Sequence, residues 1–364
     1  MDAFAKKNAW YGRSYACAAW TLPSTASILT GLYPVQHGVV KAGNDFGRLD
    51  PAFETVAETW KARGRRTAAF INNAFLAPEF KLNAGFDVYD YHGAHSVGHR
   101  SADTTVDLAI AWLKSGETPA FLMVHIMEPH FDYAPPAPFA GAFTQGMAPS
   151  FGTPVGDARG LDWMFRRIPP PTGIDLEFLR KLYLEEVLTA DAAIGRLLRA
   201  LSDEAIVVIT ADHGEELFEY GGFEHGHTTL DVVSHVPLLV RAPAVAAGRH
   251  DEVVDCTTTW AALVQSSLPE GGFAITEDTL YGAEEVSITG PTERLTAYPE
   301  SRTLGSWTVA PDGREIEGLS PPTPQLRARL TSVRGGLESA QARGPVPIAG
   351  PDEFEKLRAL GYVE

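Results

Sequence analysis

Cysteine, basic residues and long apolar runs are all scarce in this chain, and each shortage removes a class of protein. Two cysteines, Cys17 and Cys256, cannot build a disulfide framework, and neither sits in a CxxC-type metal spacing. They are expected as two ordinary buried thiols. Lys and Arg number 30 against 46 Asp and Glu, a net charge of −16, which argues against nucleic acid as a partner because a duplex binder needs a basic face to displace counterions. No stretch reaches the ~18 apolar residues of a membrane span. The opening Met1-Asp2-Ala3-Phe4-Ala5-Lys6-Lys7 has no apolar run before Asn8, so no signal peptide is read. A cytoplasmic location is the expectation for the sequence as written, with loss of an N-terminal signal as the alternative.

What is present is apolar and ordered in pattern. With 45% hydrophobic residues over 364 positions, the chain can bury a large core. Residues 2–9 read as the end of an amphipathic helix. Pro23 suits the first turn of a helix that Gly31 and Pro34 stop, which puts Thr21 at or just before a helix N-terminus. A helix over Thr55 to Arg63 is followed by a strand over Arg66 to Ile71, and Thr104 to Leu113 by Ala120 to His125. A long helix from Asp175 to Leu201 leads into the strand Ala205 to Ile209. Helix then buried strand, repeated, predicts an α/β fold with a mostly parallel central sheet and helices on both faces.

Chemistry in such sheets gathers at the carboxyl ends of strands. Asn72-Asn73, the stretch His125 to His130, and Asp212-His213 all fall there. The Pro- and Gly-rich segment 132–173, with Phe139, Phe143, Phe151 and Trp163, is expected to form an active-site rim or lid. Later come a helix at Thr257 to Gln265, a strand at Gly305 to Val309, a connector over 318–350 and a final helix from Glu353 to Leu360.

Two stretches carry the candidate chemistry. One is Trp20-Thr21-Leu22-Pro23-Ser24-Thr25 continuing through Tyr33-Pro34; the other is Ile209-Thr210-Ala211-Asp212-His213-Gly214-Glu215. A hydroxyl at a helix start meets unpaired N–H groups that favour an anion. A threonine hydroxyl needs a base or a metal to become a nucleophile, and Asp212 with His213 supplies two metal-type ligands at a strand end.

Together with His37-Gly38, Thr67 to Asn73, Gly85-Phe86-Asp87, Glu128-Pro129-His130, His225-Gly226-His227-Thr228, His235-Val236-Pro237 and Leu357 to Tyr362, these stretches resemble the sulfatase branch of the alkaline phosphatase superfamily. The resemblance implies an alkaline phosphatase-like fold with a small C-terminal subregion. It divides the chain into a catalytic α/β domain over 1–245, containing the 132–173 rim, and a C-terminal part of the same fold over 246–364. In that family the position of Thr21 is usually a Cys or Ser oxidised to formylglycine within a Cys/Ser-x-Pro-x-Arg motif. Thr21 cannot give that aldehyde, and the Arg position is Thr25. Both departures point to direct attack by threonine, as in the phosphodiesterase and phosphotransferase branches.

The resemblance further implies a divalent metal on Asp212, His213 and Thr21, with zinc or manganese favoured by a carboxylate–imidazole set and calcium or magnesium as alternatives. His130 matches a histidine facing the substrate, and either His225 or His227 stands for the family's lysine. Each is a candidate general acid or charge clamp. His225 and His227, with Glu128 or His130, are alternatively a second metal site. Asn73 and Ser24 are the candidate substrate-binding residues, a loop-structural role being the alternative for Asn73. Family members bring acidic ligands from a strand upstream of the nucleophile, and only Asp2 precedes Thr21 here, so the chain is expected to be N-terminally incomplete. The expected activity is hydrolysis of a phosphate or sulfate ester on a small molecule, glycan or lipid. The alternative is a non-catalytic member that binds anionic ligands or a protein partner.

Overall fold

Capping chemistry sets the first helix–strand pair. The Thr55 hydroxyl accepts from Glu58 N at 3.1 Å and the Glu58 carboxylate accepts from Thr55 N at 2.8 Å, a reciprocal cap worth about 1 kcal/mol that starts the helix Val56–Ala62. The computed structural model describes residues 1–332 except 43–44, 92–99, 117–118, 152–156, 165, 266–270, 278, 282–283, 299–302, 310–314 and 318–322. The helix Glu353 to Leu360 and most of the 318–350 connector lie outside the described residues.

The principal elements, in chain order, are β1 (Ala9–Tyr11), α1 (Thr21–Thr30), β2 (Arg66–Phe70), β3 (Val88–Asp90), α2 (Ala102–Lys114), β4 (Ala120–Val124), α3 (Ile174–Ala200), β5 (Val207–Thr210), β6 (Leu238–Arg241), β7 (Gly248–His250) and α4 (Cys256–Gln265). In one sheet β2 lies between β3 and β4, all parallel, with Phe70 opposite Asp90 and Val124. A second sheet has the order β7-β1-β6-β5, with only the β1–β7 pair parallel. Helix α3 reaches both: Leu197 packs on the Ala68–Phe70–Ala109 cluster that Leu122 and Val124 of β4 also join, and Leu198 on the Phe4–Val207–Leu239 cluster that Ile209 of β5 joins. Among the described residues β4 and β5 are each paired on one side only, and Leu122, Val124 and Ile209 are half-buried.

The main core surrounds α1. Trp20, wholly buried, sets its ring edge-on to Phe75 at 5.1 Å and to Phe46 at 5.8 Å, and Leu22, Ala26 and Leu29 follow it into the same cluster. The helix ends at Gly31, whose φ of 70° and contact with Trp260 leave no space for a side chain. The extent of the first helix is shorter than read: it stops at Ala5, since Ala9 enters β1 between β6 and β7.

The cysteines correct the expectation of free thiols. Cys17 and Cys256 form a disulfide, with Cα atoms 5.7 Å apart. A parallel pairing of Ser14–Tyr15 with Val254–Asp255 delivers them to each other across a separation of 239 residues, which no local spacing reveals. The C-terminal region adds a five-stranded antiparallel sheet, β8 (Ala274–Glu277), β9 (Val286–Thr289), β10 (Glu293–Tyr298), β11 (Thr303–Val309) and β12 (Glu315–Glu317), of which the sequence reading had only the Gly305 to Val309 strand. Among the described residues no helix is long and apolar enough to cross a membrane.

Candidate active site

Thr21 is the first residue of α1, 2% exposed, with Trp20 in extended conformation ahead of it. Its Oγ1 lies 3.2 Å from His213 Nε2. The other ring nitrogen of His213 is 2.8 Å from the Gly214 carbonyl, which can only accept, so Nδ1 carries the proton and the Nε2 lone pair faces the hydroxyl. Asn73, beyond the end of β2, donates from Nδ2 to Thr21 Oγ1 at 3.4 Å while its Oδ1 accepts from Phe75 N at 2.8 Å. The two contacts fix which way the amide points. Asn73 thus has the loop-structural role, as a turn cap, and also contacts Thr21.

Asp212 completes the group. Its Oδ1 accepts from His213 N at 3.1 Å, and its buried Oδ2 lies 3.7 Å from His213 Nε2 without a full hydrogen bond among the described residues. Burial pushes the carboxyl up, but His213, His125, His225 and the Thr21 hydroxyl outweigh this and hold it below the usual range. A carboxylate oxygen, an imidazole nitrogen and a hydroxyl oxygen thus converge. Ser24 does not face this space: wholly buried, it donates to the Asp212 carbonyl at 2.5 Å and ties α1 to the turn after β5.

A row of histidines extends from His213. The His225 ring stacks on it at 3.9 Å, and His130 stands edge-on to His225 at 5.0 Å. Glu215 holds His225 Nδ1 at 2.8 Å and accepts from the Tyr133 hydroxyl at 3.3 Å. Burial pushes His225 well below its ordinary value and, with His225 beside it, takes His130 down to about 4. Burial also pushes Glu215 up. Both imidazoles are neutral at pH 7 and offer hydrogen-bonding nitrogens. Neither is a resident cation.

His227 is held separately, its Nε2 2.7 Å from Glu216, whose other oxygen takes Tyr220 N and Gly222 N at 2.9 and 2.7 Å. It braces the hairpin formed by Glu216–Leu217 and Phe223–Glu224. Glu128 accepts from Ala102 N at 2.9 Å at the start of α2. Among the described residues no three His, Cys, Asp or Glu side chains gather as a metal site, so the second-metal alternative is not supported. Sequence reading placed His125 at a strand end without a role; it is half-buried beside Asp212 after β4 with Nδ1 unpaired among the described residues, and Glu215 and Tyr133 likewise had no role. The Glu-Glu pair directly after Asp-His-Gly was the available signal.

The 132–173 rim is packed by its own aromatics, with Tyr133, Phe151 and Trp163 against Phe178 and Phe223. Consecutive glutamates of α3 clamp it. Glu185 accepts from Gly141 N, Phe143 N and Thr144 N at 3.1, 2.7 and 2.8 Å, and Glu186 accepts from Ala134 N at 2.8 Å.

A family model described as Sulfatase matches residues 1–266. The uncharacterized sulfatase YidJ of Escherichia coli (strain K12) is 22% identical over 324 residues, covering 74% of this chain and 63% of the relative. The N-acetylglucosamine-6-sulfatase of Capra hircus is 22% identical over 279 residues, covering 65% of this chain and 50% of the relative. The chain thus spans about half to two-thirds of the length of these relatives. Among solved structures, the phosphonate monoester hydrolase from Silicibacter pomeroyi superposes with a TM-score of 0.66 at 18% identity, covering 94% of this chain and 90% of that one. A structure in complex with its substrate D-glucosamine-2-N,6-O-disulfate gives 0.65 at 17%, covering 98% and 92%. These likenesses establish an alkaline phosphatase-like fold.

Proposed function

The chain belongs to the sulfatase family, and from that premise we propose that it hydrolyses sulfate or phosphate esters with the Thr21 hydroxyl as nucleophile. The observation that carries the reading is the placement of Thr21 Oγ1 at a helix N-terminus, 3.2 Å from the His213 lone pair and 3.4 Å from the Asn73 amide. The helix N-terminus offers its N–H groups to the ester's anionic oxygens. Asn73 steadies the nucleophile oxygen. As Thr21 Oγ1 bonds the sulfur or phosphorus, the ester's alcohol leaves and takes up the Thr21 proton; water then breaks the bond to Oγ1, the neutral His225, steadied by Glu215, accepting the water's proton, which ends on Oγ1.

The unpaired Asp212 Oδ2 and the His213 lone pair fit one side of a divalent cation in kind, a carboxylate–imidazole set that suits zinc or manganese. Bound there, the cation would supply charge that favours the Thr21 alkoxide. A full ligand set calls for further carboxylates. The one-sided edges of β4 and β5, bridged by α3 and ending at His125 and Asp212, offer the place where an extended acidic segment would lie. The two-ligand set among the described residues favours, as a second reading, a member of the family that binds anionic ligands without turnover. The Cys17–Cys256 disulfide supports work in an oxidising compartment in place of the cytoplasm.

Paired assays on aryl sulfate and aryl phosphate esters, before and after metal stripping, test the proposal. Turnover of either ester that disappears on stripping and returns with zinc or manganese is expected. A well-folded protein that takes up no metal and turns over neither ester contradicts the catalytic reading and supports the second.

A further inference from the structure

We propose that Glu186, on the face of α3 turned to the rim, is a positioning residue for the active site: it seats Tyr133 on Glu215, and through that pair it sets the His225 ring. The inference rests on the reading of His225 as a group of the reacting centre, and it adds to that centre a means of regulation from the helix behind it.

The path is a series of short contacts. One Glu186 oxygen accepts from Ala134 N at 2.8 Å, which fixes the main chain directly after Tyr133. Tyr133 is wholly buried and donates to one oxygen of Glu215 at 3.3 Å, while the other oxygen of Glu215 holds His225 Nδ1 at 2.8 Å. The His225 ring stacks on His213 at 3.9 Å, and His213 Nε2 lies 3.2 Å from Thr21 Oγ1. Helix α3 touches this path twice. Tyr183, three residues before Glu186 and so on the same helix face, stands edge-on to the Tyr133 ring at 5.7 Å, with Phe131 edge-on at the same distance.

The two neighbouring glutamates of α3 differ in how they are satisfied. Both oxygens of Glu185 are bonded to rim N–H groups, at Gly141 and at Phe143 and Thr144. Glu186 has one buried oxygen unpaired among the described residues, and so has Glu128. The charged groups near Glu186 are Glu128, from the segment after β4, and Asp132, at the entrance to the rim. Burial, followed by these two like charges and against the pull of the Ala134 bond, pushes the carboxyl up to about 8. Tyr133 and Tyr183, titratable groups of the same two walls, keep their protons because burial pushes both hydroxyls up. The neutral acid is therefore the form that seats Tyr133 at pH 7. Loss of its proton sets a charge in a buried place opposite two others of the same sign, which favours a carboxylate drawn toward water and away from Ala134. Tyr133 then leaves its seat on Glu215, while Glu185 keeps the remainder of the rim in place.

The test is nuclear magnetic resonance on the full chain carrying carbon-13 at tyrosine Cζ and histidine Cε1, with the Tyr133 and His225 signals assigned by their absence in Tyr133→Phe and His225→Gln. Between pH 6.5 and 9 both signals are expected to move with one midpoint at about 8 in the wild-type chain. Both should stay fixed in Glu186→Gln, which keeps the acceptor for Ala134 and has no proton to lose. The His225 step should also vanish in Tyr133→Phe, which separates a path through the hydroxyl from a charge felt across space. In ester assays over the same range, kcat should fall about 3- to 10-fold more in the wild-type chain than in Glu186→Gln, with KM unchanged. A Tyr133 signal that does not move in the wild-type chain, steps that persist in Glu186→Gln, or a His225 step that survives Tyr133→Phe would overturn the proposal. Failure of the hydrolytic reading is seen elsewhere, as absence of turnover on either ester, and leaves the two signals as a separate result.

Discussion

Glu186→Gln should make the protein more stable at pH 8.5 and leave it unchanged at pH 4.5. Glu186 is 3% exposed, one oxygen accepting from Ala134 N at 2.8 Å and the other unpaired among the described residues. Burial, followed by the nearby Glu128 and Asp132 charges, pushes its carboxyl from 4.5 up to about 8, against the downward pull of the Ala134 bond. In the unfolded chain the group ionises near 4.5, so the unfolded state loses its proton first. Stability therefore falls as pH rises from about 4.5 to about 8 and levels off above. A tenfold change in proton affinity is worth about 1.4 kcal/mol, which bounds the penalty at about 5 kcal/mol. Relaxation of the clamped rim lowers it to roughly 2 kcal/mol, or about 3 °C in Tm for a chain of this size. Glutamine keeps the acceptor for Ala134 and cannot ionise. Thermal denaturation of both proteins from pH 4.5 to 9 should give curves that coincide at the acid end and diverge by about 3 °C at the other. Equal gains at both ends, or a loss at pH 8.5, would refute the reasoning.

Other perturbations read other parts of the account. Trp20→Ala opens a wholly buried cavity beside Thr21 and should cost about 3 to 5 kcal/mol in denaturant unfolding. Reducing Cys17–Cys256 should lower stability by about 2 to 4 kcal/mol, and the denatured, unreduced protein should show no free thiol to a thiol reagent. Thr55→Ala removes the reciprocal cap of the helix before β2 and should cost about 1 kcal/mol in the same assay.

Local pattern carried much of the architecture into view. The helix–strand pairs ending at Asn73, at the His125 to His130 stretch and at Asp212 are periodic and punctuated by caps, so their strand-end residues were legible as one site. Pairings that depend on distant segments were not. The disulfide follows from a strand register between Ser14–Tyr15 and Val254–Asp255, and the Glu215–His225 pair from a hairpin whose strands are two residues each. The C-terminal antiparallel sheet was hidden because its strands mix Thr, Ser and Glu with apolar residues, and their burial comes from the neighbouring sheet, as when Thr276 donates to the Ala16 carbonyl at 2.7 Å. Ser24 was misread for a similar reason: its position on α1 points to the active site, and only the approach of Asp212 turns its hydroxyl inward.

Rates on aryl phosphate and aryl sulfate esters for the wild-type chain, Thr21→Ser and Thr21→Ala test the central claim most directly. A hydroxyl nucleophile predicts that Thr21→Ser keeps measurable turnover and that Thr21→Ala loses at least about a thousandfold. Thr21→Ala turning over either ester within a few-fold of wild type would contradict it.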